Sequence, residues 1–397
     1  MHIQRTVTIL IENDPDLRNT LDAFRQVQQA LSAPCYHEGK PLGALALQRQ
    51  VYHQVKGMLS AQMTISAIRT VAAAYQSAKS NKKPATRPFL FRRARALFLV
   101  GERGRDADFR KDGTLSIWTV AGRKRLTYKV PPDFQNTLKH AVEIDSLNVL
   151  ECDGRLIGRV TVTLSAPDPQ GILPVGIDLN ETNALVAVDP DGKTLFVSGK
   201  AVKVKNRRTA KTRARLQSKL ASRKAEKKDT RSVRRLLKRL GRKQRCRTRT
   251  FARQAAKQLV DFAPSNAVLV FEDLRMPHPQ KGTIRGKALR RRLSLWQHGL
   301  LREAVTNKAQ ERGMKIAKVD PRYTSKTCSR CGLRGRRKRH SFVCPHCGYC
   351  DHADHNAALN IRNKFTILRD GGDPSVSPEA QSVQDVGKPV SLEATGD

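Results

Sequence analysis

A chain of 397 residues can bury one large core or two to three domains. Its 75 lysines and arginines against 35 acids leave a formal charge of +40, far more than solubility needs, and that density of like charge implies a polyanionic partner such as nucleic acid. Charge interrupts every long apolar run, which excludes a transmembrane helix. The start, MHIQRTVTILIENDPD, lacks the basic segment and apolar core of a secretory leader. A cytoplasmic, nucleoid-associated prokaryotic protein is expected.

Residues 2–11, HIQRTVTILI, carry a β-branched run that reads as a strand. From about Asp14 to Ser80 the pattern turns helical: Val51, Val55, Met58 and Leu59 recur at turn spacing, as do Ile65, Ile68, Val71 and Tyr75. Pro84 and Pro88 break it. RALFLVG, LSIWTVAG, RLTYKV and RLIGRVTVTL then read as strands separated by Gly-Arg and Asp-Gly turns. A strand, helices and many strands suggest a small β-barrel with a helical insertion over residues 1–172.

Pro167 to Pro174, PDPQGILP, reads as a linker. Beyond it, Val175–Leu179, Ala184–Val188 and Thr194–Ser198 are three strands, with Asp189-Pro-Asp-Gly192 as a turn. Asp178 places a charge among apolar neighbours, which is costly unless paired or metal-bound; alone, such an acid is more often a turn or solvent-facing residue. Residues 203–249 hold 22 lysines and arginines against Glu226 and Asp229, a net +20 in under an eighth of the chain. Leu216, Leu220, Leu236, Leu237 and Leu240 mark helical periods, with a break near Asp229-Thr230, so a long helical hairpin spans about 203–260. Charge runs are often only solvated faces; at this density, self-repulsion argues for a phosphate backbone as counter-charge. Arg207, Arg208, Lys211, Arg213 and Arg215 are candidate contacts.

Ala267–Phe271 reads as a buried strand, with Glu272 at its end as Asp178 is on the first. Residues 275–292 read as a mobile basic loop. A helix from about Ser294 to Arg312 and a strand Lys315–Val319 follow. Cys328, Cys331, Cys344 and Cys347 then stand as two C-x2-C steps twelve residues apart, the pattern of a tetrahedral Zn²⁺ ribbon. Disulfides are the alternative, and the missing leader with the compact pairs favours one structural zinc. Cys350 is a spare thiol; His340, His346, His352 and His355 are weaker competitors. Asp354 opens the helical run DHNAALNIRNKF, where an acid ordinarily just caps the helix. After Arg369 the tail reads as disordered.

Three strands, a helical insertion, a strand, a helix, a strand and a helix form the order of an RNase H-like α/β fold. In that fold carboxylates on the first strand, the fourth strand and a late helix converge. Asp178, Glu272 and Asp354 occupy those places. Three such acids raise one another's pKa, and hard divalent ions relieve this; Mg²⁺ suits an all-oxygen site with open positions. Two such ions, about 3.5–4 Å apart, would serve in-line phosphodiester displacement.

GIDLN around Asp178, VFEDL around Glu272, and the four-Cys ribbon followed by ADHNAALNI around Asp354 resemble the RuvC nuclease core of TnpB proteins, transposon-encoded RNA-guided DNA endonucleases related to compact type V CRISPR nucleases. The resemblance is strongest from about Val175 to Lys364. It implies that Asp178, Glu272 and Asp354 are catalytic Mg²⁺ ligands. It also implies a guide RNA, a target double-stranded DNA and a short target-adjacent motif. Residues 1–172 would be a wedge-type barrel with a recognition insertion at about 14–80. Residues 173–369 would be the RuvC domain carrying the hairpin and a zinc ribbon at 326–350, ahead of a tail at 370–397. The extra Cys350 and the basic ribbon tip Arg334 to Arg339 depart from the pattern, and neither threatens the carboxylates. A CRISPR effector of the same chemistry, a non-cleaving guided repressor and a plain zinc-ribbon binder are the alternatives.

Overall fold

A computed structural model describes residues 1–36, 40–81, 84–101, 105–274 and 298–371. The expected basic loop at 275–292 and nearly all of the tail lie outside these residues. The chain divides into two compact units, Met1–Ser165 and Ala166–Asp397.

In the first unit, β1 (His2–Ile11) is followed by α1 (Pro15–Cys35), α2 (Ala44–Val55) and α3 (Ala61–Ser80). Then come β2 (Arg95–Leu99), β3 (Ala107–Phe109), β4 (Thr114–Thr119), β5 (Gly122–Lys129), α4 (Pro132–Lys139), β6 (Ala141–Cys152) and β7 (Arg155–Ser165). The strands form one sheet in the order β2-β6-β7-β1-β5-β4-β3, every neighbouring pair antiparallel. Its two edges meet where Val100 bridges Ala107 and the Gly101 N–H donates to the Ala107 carbonyl at 3.3 Å. Buried Asp106 fastens that seam by accepting from the Leu99 N–H and the Ser60 hydroxyl. The edges of the sheet are thereby closed on themselves. The helices α1, α2 and α3 lie between β1 and β2 in sequence, where the helical insertion is expected. Asp14 caps α1 by accepting from the Leu17 N–H at 2.8 Å, ahead of Pro15. Met58, expected in the helical stripe, is exposed, whereas Val51, Val55, Leu59, Ile68, Val71 and Tyr75 are buried.

The second unit begins with residues 166–172. Pro167 to Pro174 is expected as a linker, yet this stretch is packed: the Gln170 N–H donates to the Gly313 carbonyl and the Ile172 N–H to the Asn266 carbonyl, both at 2.8 Å. The strands β8 (Leu173–Asp178), β9 (Asn183–Val188) and β10 (Thr194–Ser198) precede the hairpin α5 (Lys200–Ala225) and α6 (Arg231–Phe262). After these come β11 (Ala267–Glu272), α7 (His298–Glu311) and β12 (Lys315–Val319). A small sheet of β13 (Arg336–Lys338), β14 (Ser341–Val343) and β15 (Cys350–His352) leads into α8 (Ala353–Arg369). The main sheet has the order β10-β9-β8-β11-β12; β10, β9 and β8 run antiparallel, while β8, β11 and β12 are parallel. Among the described residues, no helix is long and apolar enough to cross a membrane.

Alternation along these strands sorts the side chains. Val175, Ile177, Leu269 and Phe271 face α6 and α7 and pack with Ala252, Ala256, Leu259, Leu301 and Val305. The opposite face, carrying Val268, Val270, Val186 and Val188, packs on Ile361 and Ala358 of α8. Gly176 permits that approach: an added Cβ would stand 2.1 Å from the Ala358 carbonyl oxygen and 2.7 Å from the Arg362 nitrogen. The same parity puts Asp178 and Glu272 on the α8 face.

Replacing Gly176 by alanine should therefore lower unfolding stability by about 1–3 kcal/mol, because backbone and not a flexible side chain must yield. Gly299→Ala, whose added Cβ meets nothing, should be neutral or stabilising in the same thermal or denaturant melts.

Candidate metal centre

The last registered pair of β8 and β11 is Ile177 with Phe271, so Asp178 and Glu272 stand side by side at the carboxyl ends of two central parallel strands. They line a cleft of about 390 Å³ with Asn180, Glu181, Pro321, Thr324, Ser325 and Arg337. Asp354 arrives from α8. It is completely buried and sits one residue inside the helix; His352 is the cap, its Nδ1 accepting from the Asp354 N–H at 3.2 Å. The Asp354 carboxylate, freed from capping, accepts from Asn180 Nδ2 at 2.6 Å, Asn183 Nδ2 at 3.0 Å and Arg337 Nη2 at 2.8 Å. The structure thus brings Asp178, Glu272 and Asp354 into one neighbourhood.

Electrostatics record the crowding. Burial pushes the Asp178 carboxyl well above the usual carboxylate range; Glu272 and Asp354 push it further, and Arg337 opposes them. Burial also raises Glu272, against the Thr324 hydroxyl, which donates to Glu272 Oε1, and against the charges of Lys364 and Arg337. Arg337 and Lys364 offset only part of this crowding, since Asp178 and Glu272 remain raised, and an all-oxygen donor set beside an open cleft fits hard divalent cations.

The four thiols converge as well. Cys328 and Cys347 sulfurs are 3.7 Å apart and those of Cys331 and Cys344 3.5 Å, while all four lie within 4.8 Å of one another. Disulfides need about 2.05 Å, whereas a tetrahedral ion with metal–sulfur bonds of about 2.3 Å needs edges of about 3.8 Å. The two knuckles are built alike: Gly332 and Gly348 take positive φ and donate their N–H groups to the Cys328 and Cys344 carbonyls at 3.0 and 3.1 Å. Without an ion the sulfurs titrate apart. Burial lifts Cys331 to about 12; burial also opposes Cys344, but the N–H groups of Cys347 and His346 prevail and draw it to about 6. Cys350 is exposed and outside the cluster. His340 and His352 instead group with Asp354, and His355 pairs with Asp351 at 2.7 Å; His346 is exposed.

Asn356 and Asn360, one turn apart on α8, latch the ribbon to the helix. Asn356 accepts from the Ser329 N–H, and both amides donate to the Thr327 carbonyl. Sequence reasoning did not assign them, nor Asn180, Asn183 and Arg337. Their spacing to the acids was visible, but polar side chains in a charged run carry no mark of their partners. On α5, Arg207, Arg208, Lys211 and Arg215 are exposed and Arg213 is half-buried.

Residues 158–281, which include Asp178 and Glu272, match a family model described as a probable transposase, OrfB_IS605. Residues 298–361, which include the ribbon and Asp354, match the Cas12f1-like TNB domain. A TnpB-like protein of Aquifex aeolicus is 33% identical over 122 residues, covering 28% of this chain and 39% of that protein. The CRISPR-associated endodeoxyribonuclease Cas12f1 of Sulfoacidibacillus thermotolerans is 43% identical over 72 residues, 17% of each chain. Stretches of this chain are thus similar to TnpB-like and Cas12f1 proteins. The matched stretches span about two fifths of the Aquifex protein and under one fifth of that Cas12f1. Among solved structures, a Cas12f1–sgRNA–target DNA complex aligns over 91% of this chain and 99% of its own at 17% identity, TM-score 0.37. The mini-RNA-guided endonuclease CRISPR-Cas_phi3 aligns over 91% and 92% at 12% identity, TM-score 0.45.

Two outcomes follow from this geometry. The folded chain holds a proton on Asp178 more tightly than the unfolded chain does, so that group's contribution to stability falls as pH rises from about 3.9 through the raised value. In metal-free buffer at pH 7, Asp178→Asn should raise the melting temperature, and the gain should vanish below about pH 4; an unchanged or lower melting temperature at pH 7 contradicts the crowding. For the ribbon, elemental analysis should find about one Zn²⁺ per chain, and Cys331→Ser should lose it and loosen the ribbon and α8 in hydrogen exchange.

Proposed function

We propose that the protein is an RNA-guided, Mg²⁺-dependent endonuclease that cuts double-stranded DNA beside a short target-adjacent motif. The carrying observation is that Asp178 and Glu272 share one cleft at the ends of adjacent parallel strands while Asp354 reaches the same place from α8. A sheet of three antiparallel strands extended by two parallel ones, with helices on both faces, is the RNase H-like order, and the second unit reads as a RuvC-type nuclease domain. The first unit, with its closed sheet and helical insertion, reads as the wedge and recognition part.

Two Mg²⁺ ions held by the three carboxylates would supply an activated water and charge stabilisation for in-line displacement at a phosphodiester. The chain's own part is orientation. Thr324 fixes Glu272, the Asn180 and Asn183 amides fix Asp354, and Arg337 at the cleft wall offers a guanidinium to an incoming phosphate. Four cysteine thiolates would hold one structural Zn²⁺ and so set the start of α8. The exposed cations of α5, including Arg207, Arg208, Lys211 and Arg215, with Arg213 beside them, would bind guide and target backbones without reading bases, as guided recognition requires. Similarity to Cas12f1, a CRISPR-associated endodeoxyribonuclease, supports DNA as the substrate. The 43% identity to that protein over 72 residues also supports a second reading, a compact type V CRISPR effector of the same chemistry; neighbouring repeats and spacers, as opposed to transposon ends, distinguish the two.

Purified with its own RNA, the protein should cut a matching duplex in Mg²⁺. EDTA should abolish the cutting, and Asp178→Ala should reduce it to background in a gel assay. Wild-type cutting by Asp178→Ala would remove the active-site assignment, and guide-dependent binding with no cutting in Mg²⁺ would leave a guided repressor.

A further inference from the structure

Between β12 and the ribbon, residues 320–327 form a tight loop along the rim of the carboxylate cleft, which Pro321, Thr324 and Ser325 help to line. Tyr323 sits there with φ +62, a left-handed backbone that bulky residues avoid. Nothing in the core rewards it, because the residue is 52% exposed. The strain is held by neighbours. The Tyr323 carbonyl accepts from the Lys326 and Thr327 N–H groups, both at 2.9 Å. Asn360 Nδ2 donates to the Thr324 carbonyl at 2.8 Å, and Lys364 Nζ donates to the Asp320 carbonyl at 3.2 Å. Arg334 is brought to the ring by the Thr327–Arg334 bridge, and its guanidinium stands 4.4 Å from the ring centroid. A cation stands over the ring, and about half of the residue is exposed.

A rigid, outward aromatic backed by an arginine, one residue before the threonine that orients Glu272, has the form of a stacking platform. Nucleobases stack on such rings whatever their sequence, and a cation beside the ring favours the neighbouring phosphates. Strain kept in a well-hydrogen-bonded loop beside a reactive cleft is the expected mark of a functional position. We infer that Tyr323, with Arg334, binds one nucleobase of a DNA single strand and so sets which phosphate lies over the carboxylates. This rests on the nuclease reading above only for the identity of the strand. Tyr323 is a positioning residue.

The test uses the full chain with its co-purifying RNA, Ca²⁺ in place of Mg²⁺, and single-stranded oligodeoxynucleotides carrying one 2-aminopurine at successive positions. Wild type and Tyr323→Phe should quench the fluorescence at one position near the cleavage site. Tyr323→Gly should lose the quench and bind about tenfold more weakly, while melting at the same or a higher temperature because glycine relaxes the backbone. An abasic nucleotide at that position should weaken wild type by the same factor and Tyr323→Gly no further. Retained quench and affinity in Tyr323→Gly overturns the inference, as does a lower melting temperature, which would make the ring a packing element. The two readings separate: a Tyr323-dependent quench with no cutting in Mg²⁺ removes the nuclease and leaves the platform, whereas cutting with a Tyr323-independent signal does the opposite.

Discussion

The close approach of α8 to β8 decides where everything else in the second unit can stand. At Gly176 the helix backbone lies where a side chain would be, and the contact sets both the depth and the rotation of α8. From that point a few residues back along the helix lead to Asp354, and two residues forward along the strand lead to Asp178. The pair of acids is thus positioned by a glycine that touches neither. β11 adds Glu272 through parallel pairing in register, so the third acid follows from main-chain hydrogen bonds. Like charges gathered this way repel; the strands and helix that hold them are stiff because the opposite sheet face is sealed by α6 and α7.

The ribbon serves the same end from outside. Its thiols close on one point, its entrance is tied to α8 by Asn356 and Asn360, and its tip returns Arg337 to Asp354. The sulfur cluster and the carboxylate cluster are therefore mechanically one object, joined through the first two turns of a single helix. Lys203 of α5 reaches Glu181 at 3.5 Å and the Thr182 hydroxyl at 3.0 Å, so the basic hairpin is rooted in the loop that also carries Asn180. The ribbon thus grips the helix that carries Asp354, and the hairpin grips the segment whose Asn180 and Asn183 hold its carboxylate.

Much of this was legible in the amino-acid order, for identifiable reasons. Asp178 and Glu272 stood out because an acid in a β-branched apolar run has no cheap explanation, and paired C-x2-C steps have few. The strands β8 to β12 were readable because burial on both faces leaves nearly continuous apolar runs. β6 escaped notice because Glu143, Asp145 and Glu151 interrupt a strand that is only partly buried, and α4 because it buries nothing. The hairpin leucines mark the helical period, and in the structure Leu236 is exposed while Leu216, Leu220, Leu237 and Leu240 are half-buried. Where α5 and α6 meet, the buried positions include Asn206, Thr209, Val233 and Gly241, and Arg247 donates to Asn206 and Thr209. Helical period marks where apolar residues recur; it does not say which of them find a neighbour when charge holds two helices apart.

That hairpin has a consequence for the molecule's mechanics. α6 runs 32 residues, about 48 Å, and from Thr248 onward most of its buried residues join the core beneath the sheet. The outer part is two cationic rods joined by polar bonds, with little oil between them. Its cohesion belongs to the surrounding solution as much as to the fold: small anions or a polyanion draw the rods together, and dilute buffer lets them spread.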